Sequence, residues 1–260
     1  MLLVSHLVMK TLLRSLAFIA FVSAEIFPLR ATDQPALTAA TGYVPCKISS
    51  KAHAAFPVRL MTNGVTHGEV QIILEVGIDG QLTDALLAAY THRDFADEAL
   101  RVLKASRFTP SSINGQPVIS VVNLTFRFET SGVLAFQRIG LPAREIDSLG
   151  GEFEYRPHGP STIDQPPSAR QQPGPIYPKE WGDEGRIGSV TVDFYIDENG
   201  RTRMPVALDS PDEYLAAAAI DAVKEWRFET PRYRGKPALA HAQQLFVFKP
   251  EPKPAPKSGA

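Results

Sequence analysis

Residues 188–200 read GSVTVDFYIDENG, and residues 68–80 read GEVQIILEVGIDG. Both open on glycine and alternate. Val190, Val192, Phe194 and Ile196 recur at every second position in one, and Val70, Ile72, Leu74, Val76 and Ile78 do so in the other. A period of two places each set on one face of a strand with a single buried side. The closing pairs, Asn199-Gly200 and Asp79-Gly80, predict type I′ hairpin turns, whose two central positions need positive φ. Each strand is therefore expected to fold straight back into a second.

Outward from these stretches the chain repeats itself at an offset of 120 residues, a periodicity that fixes architecture before any local reading. Arg107-Phe108 falls on Arg227-Phe228, and Gly115-Gln116-Pro117 on Gly235-Lys236-Pro237. The opening Phe56-Pro57 and Tyr177-Pro178 are one residue out of step, which an insertion near Trp181 to Gly185 accounts for. Between the hairpin and the last strand, Asp94 to Ser106 sets Phe95, Ala99, Val102, Leu103 and Ser106 on one helical stripe, with Asp94 as N-cap. Leu215, Ala219, Ala222, Val223 and Trp226 form the matching stripe. Final strands, Pro117 to Phe128 and Pro237 to Phe248, each begin on proline, which a strand tolerates at its first residue. The predicted fold is α+β: two copies of a small ββαβ module, each a three-stranded antiparallel sheet packed on a helix.

Pro205 lies inside the second strand of copy two and cannot donate to a ladder, so that strand is expected at an edge and the first strand in the centre. The third strand is then the other edge of each module. An unpaired row of amides and carbonyls accepts an added strand from a partner.

The predicted boundaries are a signal peptide or anchor (1–24), a linker (25–47), module one (48–130), a Pro/Gly-rich linker (131–167), module two (168–249) and a Pro/Lys-rich tail (250–260). Lys10 and Arg14 precede the apolar run Ser15 to Ala24, and Val22-Ser23-Ala24 offers small residues for cleavage. Ten residues cover about 15 Å as a helix against a hydrocarbon core of about 30 Å, which favours a cleaved signal over an anchor. Breakers crowd the inter-module stretch, as in Gly150-Gly151, Gly159-Pro160 and Pro166-Pro167, and exclude a packed element there. The tail alternates proline with charged or small residues, a polyproline II pattern.

Across all 260 residues the formal charge is −1, so no global field draws nucleic acid. Cys46 is the single cysteine, which excludes an internal disulfide and reads as a buried or free thiol. The six histidines form no metal-binding spacing, and no nucleophile motif or phosphate loop occurs. His92 with Asp94 reads as a polar loop entering a helix, Arg107 and Arg227 as cations at helix ends, and Trp226 and Phe228 as core. The expectation is no catalysis, no cofactor and no metal.

The ordered set resembles the TonB C-terminal domain family over both modules. Copy two carries it as Tyr177-Pro178, Gly188-Ser189-Val190, Asp197-Glu198-Asn199-Gly200, Ala217-Ala218-Ala219-Ile220, Trp226-Arg227-Phe228 and Gly235-Lys236-Pro237; copy one has Phe56 for the tyrosine and Ser106 for the tryptophan. The resemblance implies a periplasmic module that grips the N-terminal segment of an outer-membrane TonB-dependent receptor, or a similar periplasmic peptide, by strand addition. The candidate peptide-binding strand is Ala238, Leu239, Ala240, His241, Ala242, Gln243, Gln244, Leu245 and Phe246, with His241, Gln243 and Leu245 supplying selectivity. Two alternatives stay open. One is an inner-membrane transducer, held by a single anchor and working with ExbB and ExbD; the other is a structural protein, such as a homodimer paired edge to edge.

Overall fold

Alternation and repetition carry directly into the computed structural model, which describes residues 42–50, 52–138, 152–177, 181 and 187–249. The signal or anchor (1–24), the insertion near 182–185, Pro178 and the tail (250–260) lie outside the described residues. Copy one contains β1 (Tyr43–Val44), β2 (Lys47–Ser50), α1 (Val58–Thr62), β3 (His67–Val76), β4 (Leu82–Tyr90), α2 (Arg93–Lys104), β5 (Ser106–Thr109), β6 (Ser111–Ile113), β7 (Gln116–Val118), β8 (Ser120–Glu129) and β9 (Gly132–Arg138). Copy two contains β10 (Ala169–Gln171), β11 (Gly188–Ile196), β12 (Thr202–Asp209), α3 (Glu213–Lys224), β13 (Arg227–Phe228), β14 (Arg232–Tyr233), β15 (Lys236–Pro237) and β16 (Ala240–Phe248).

The main sheets are antiparallel and run β4-β3-β8-β9 and β12-β11-β16. In both, the first long strand is central, and Pro205 sits on an edge strand as its missing donor requires. The predicted stripes bury against these sheets: Phe95, Ala99, Val102 and Leu103 from α2, and Leu215, Ala219, Ala222 and Val223 from α3. Ser106 and Trp226 are buried just past their helices.

Local chemistry differs from the expectation in three places. Asp79 and Asn199 do not have positive φ; only Gly80 (+75°) and Gly200 (+76°) do. The amide of Gly80 bonds the carbonyl of Gly77, and that of Gly77 the carbonyl of Gln81, with the same pattern at Asp197, Gly200 and Arg201. These are three-residue hairpin loops, a type I turn closed by a left-handed glycine, in place of type I′. The type I′ signature lies instead at Asn114-Gly115 and Arg234-Gly235, where both residues have positive φ. These pairs join β6 to β7 and β14 to β15, so each predicted final strand is interrupted before its long segment, β8 or β16. The N-cap of α2 is His92, not Asp94, whose carboxylate pairs with Arg59. In copy two Asp212 does cap, accepting from the amides of Tyr214 and Leu215. Lastly, 131–167 includes β9, since the Gly-Pro breakers quoted above all follow Arg138.

A third core joins the copies. Ile73, Leu86, Ala88 and Ala89 of one sheet meet Tyr195, Met204 and Leu239 of the other, each buried. These side chains project from the sheet faces opposite the helices, so both faces of β3 and β11 are occupied where one was expected. Met204, at φ +50°, sits where β12 slips register against β11, and this bulge turns a buried side chain into the shared core. At its margin the Arg203 guanidinium forks onto Asp84 (Nε to Oδ2 2.9 Å) and lies 3.5 Å from Asp197 Oδ2.

Two glycines with the same φ separate conformational from steric cost. A Cβ on Gly200 would lie 2.0 Å from the Phe228 carbonyl oxygen, whereas on Gly235 it would meet nothing within 4 Å. Urea unfolding of Gly235→Ala should show a loss of about 1 kcal/mol, from the left-handed backbone alone. Gly200→Ala should lose at least about 3 kcal/mol, because backbone must also move.

Candidate functional site

The two copies treat their third-strand edge differently. In copy one β9 pairs with β8 from Asn123↔Arg138 to Glu129↔Gly132, so this edge is filled by the chain's own next segment. The free edge expected for module one is absent, because only two residues, Thr130 and Ser131, separate β8 from β9 and the chain turns straight back.

In copy two β16 pairs with β11 along its whole length, from Ala240↔Ile196 to Phe248↔Gly188. On its outer side a single residue docks. His158 donates its amide to the Leu239 carbonyl (2.9 Å), and its own carbonyl accepts the amide of His241 (3.0 Å). Backbone groups alternate sides along a strand, so those of Gln243, Leu245 and Val247 face outward like those of His241. None of these three amides has a partner among the described residues. The Leu245 carbonyl is occupied by its neighbour, Gln244, whose Nε2 donates to it at 2.8 Å. Gln244 lies on the helix side, in the slot held by Leu124 in copy one.

Placement of the candidate strand follows. Ala238 and Leu239 are buried ahead of β16, and Leu239 belongs to the third core. Ala240 is buried and bridged to His158. His241 and Gln243 turn onto the buried Asp193, with His241 Nε2 at 2.7 Å and Gln243 Nε2 at 2.8 Å from its Oδ1. In this structure the polar ends of both side chains serve Asp193. Ala242, Gln244 and Phe246 share the helix side, and Phe246 packs on Trp226 with ring centroids 5.5 Å apart. Leu245 (55% exposed) and Val247 (56%) remain as apolar side chains beside an open backbone.

Among the motif residues, Gly188 leaves no room for a side chain, since a Cβ would stand 2.6 Å from Leu215. Val190, Trp226 and Phe228 are core, and Trp226 donates its indole N–H to the Pro173 carbonyl (2.8 Å). Tyr177 packs edge-on to Trp181. Pro237 is exposed in the β14–β15 hairpin that Gly235 turns. Arg227 reaches the Lys224 carbonyl at the end of α3 (2.8 Å), as expected, whereas Arg107 bonds the Ser106 carbonyl, just past α2 (3.4 Å). Cys46 is buried, and burial raises its thiol pKa. No group of three metal-ligating side chains occurs among the described residues.

The description "Gram-negative bacterial TonB protein C-terminal" matches residues 52–130 and 173–250, more than half of the chain. The chain belongs to the TonB C-terminal domain family. No curated protein matches it. Among solved structures it is similar to the solution NMR structure of Pseudomonas aeruginosa TonB CTD, at 30% identity over 36% of this chain and 91% of that one, with a TM-score of 0.29. TonB C-terminal domains are periplasmic, non-catalytic modules of Gram-negative bacteria that interact with TonB-dependent receptors and with ExbB and ExbD. This tandem member has a TonB-like role in TonB-dependent transport. Among the described residues no helix is long and apolar enough to cross a membrane.

Sequence reasoning missed the segment that closes the upper part of the β16 edge. Tyr155 exchanges both backbone bonds with Tyr90 at the end of β4, stacks on its ring at 5.2 Å, and donates its hydroxyl to Glu198. Three residues later His158 reaches β16. Burial first, and then the Glu198 carboxylate, push the Tyr155 phenol well above its ordinary value. The folded protein therefore keeps a proton that the unfolded chain gives up near pH 10, so this stabilisation is present below about pH 10 and is lost as pH rises further. Tyr155→Phe should cost about 1–3 kcal/mol at pH 7, with the Glu198 carboxylate left short of a donor. Stability of the variant, followed by urea unfolding at pH 9–11.5, should fall less steeply with pH than that of the parent.

Proposed function

We propose that copy two is the binding module, and that it captures an extended partner segment, such as the N-terminal peptide of a TonB-dependent receptor, as an added strand on β16 between Gln243 and Val247. One observation carries this reading: the outward amides of Gln243, Leu245 and Val247 have no partner among the described residues, whereas the equivalent edge of copy one is filled by β9. Backbone pairing supplies affinity independent of sequence, and Leu245 and Val247 favour apolar side chains at alternate positions of the partner. An arriving strand takes the Leu245 carbonyl from Gln244, freeing that amide for the partner. Copy one then serves as a brace for the binding sheet, and two-site avidity plays no part.

Proline at Leu245 removes one outward amide while leaving the Asp193 cluster and the core untouched, a cleaner test than proline at Gln243. Leu245→Pro should weaken binding of a receptor N-terminal peptide by at least about tenfold in fluorescence anisotropy, with helical circular dichroism retained. Unchanged affinity would sink the reading. A peptide-insensitive dimer in sedimentation would reassign the edge to a second copy of the chain.

A further inference from the structure

Beyond His158, where the open edge of β16 stops, a cleft of about 790 Å³ lies between residues 152–158 and the β14–β15 hairpin. Its walls are aromatic and cationic. Tyr233 stacks on the His158 ring at 3.9 Å, and the Arg234 guanidinium lies over the other ring of that pair, 5.1 Å from the Tyr233 centroid. Arg156, Arg234 and Lys236 are exposed there, and none makes an ion pair among the described residues. Two carboxylates share the lining. Glu154 is turned to the start of α2, where Oε2 accepts the Arg93 amide at 3.1 Å, and Glu152 is exposed.

The backbone of Arg234 adds an independent argument. It has φ +50° at the first position of its type I′ turn, a region that side chains other than asparagine, aspartate and glycine enter at a cost. Copy one places Asn114, also at φ +50°, in the same position. The Asp164 carboxylate holds the turn of copy two by accepting the amides of Arg234 and Gly235, both at 2.7 Å. An unfavourable residue in a fixed turn points to a use for its side chain. A guanidinium resting over a ring keeps its N–H donors for other partners, and paired N–H donors of this kind recognise a carboxylate.

We propose that this cleft, centred on Arg234, binds carboxylates in the flank of the partner peptide, so that the ligand is a short apolar strand followed or preceded by acidic residues. The edge and the cleft meet at His158, and a strand seated on Gln243 to Val247 that continues past that residue enters the cleft. This rests on the strand-addition reading above.

The test uses the chain with residues 25–260 and labelled peptides sharing the core Thr-Val-Thr-Val-Thr, flanked at one end or the other by Glu-Asp-Glu or by the neutral Gln-Asn-Gln. An acidic flank at one end should strengthen binding by about tenfold at low salt, and about 0.5 M NaCl should erase the gain. Arg234→Asn, which installs the residue of copy one, should remove most of the gain, leave the neutral peptide unaffected and keep or raise Tm. Equal binding of acidic and neutral peptides by the parent, with Leu245→Pro still abolishing both, overturns the cleft and leaves strand addition standing. A gain that survives Arg234→Asn, or a lowered Tm in that variant, also overturns it. Binding of neither peptide removes both readings together.

Discussion

The packing of two sheets back to back is the constraint on which the rest depends. Tyr195 and Leu239 from copy two, with Ile73 from copy one, have no exposed surface, and a fully buried side chain of this size contributes about 1.5–3 kcal/mol. Because they leave the sheets opposite the helices, each sheet is covered on both faces around these residues, and the copies cannot act as beads on a string. The shared core also decides where the connecting chain can run. Residues 152–158 pass along its border, pair with Tyr90 on one side and with Leu239 and His241 on the other, and so determine where the β16 edge begins to open.

Two modules with one pattern have thus taken different states. In copy one β9 adds to β8, so Leu124 and Phe126 lie on an interior strand and the edge passes to β9. Copy two keeps three strands and replaces that leucine with Gln244, which can satisfy an edge carbonyl unaided. An open edge invites indiscriminate pairing. Here its length is limited at one end by His158, and one of its acceptors is already occupied. The buried Asp193 then ties His241 and Gln243 down on the outer face, so a short and ordered strip is left for a partner.

Much of this was legible in the sequence. Alternation located β3 and β11, the offset of 120 paired the copies, and Pro205 placed β12 at an edge because its missing donor is a covalent fact. The shared core was written there too, but less plainly: Ile73 and Tyr195 are large residues in the row that alternation assigns to solvent, and a single such residue does not identify its partner. The turn types were misread because Asp-Gly and Asn-Gly suit both hairpin geometries, and loop length, which decides between them, depends on register. Nothing local marked Asp193 as buried or His158 as an edge cap, since both are set by contacts across tens of residues. Arg234 in a left-handed conformation was likewise invisible, as Gly235 after it predicts the turn without saying which residue bears the cost.

The distribution of rare side chains has a practical consequence. Both tryptophans, Trp181 and Trp226, are buried in copy two, and the lone cysteine is buried in the core of copy one. The natural chain therefore holds an optical reporter in one half and a chemical reporter in the other. Emission from the indoles follows one half melting, and alkylation of the thiol follows the other opening. The separation between those two signals, on the same sample and without any label, is a direct reading of how strongly the halves are coupled.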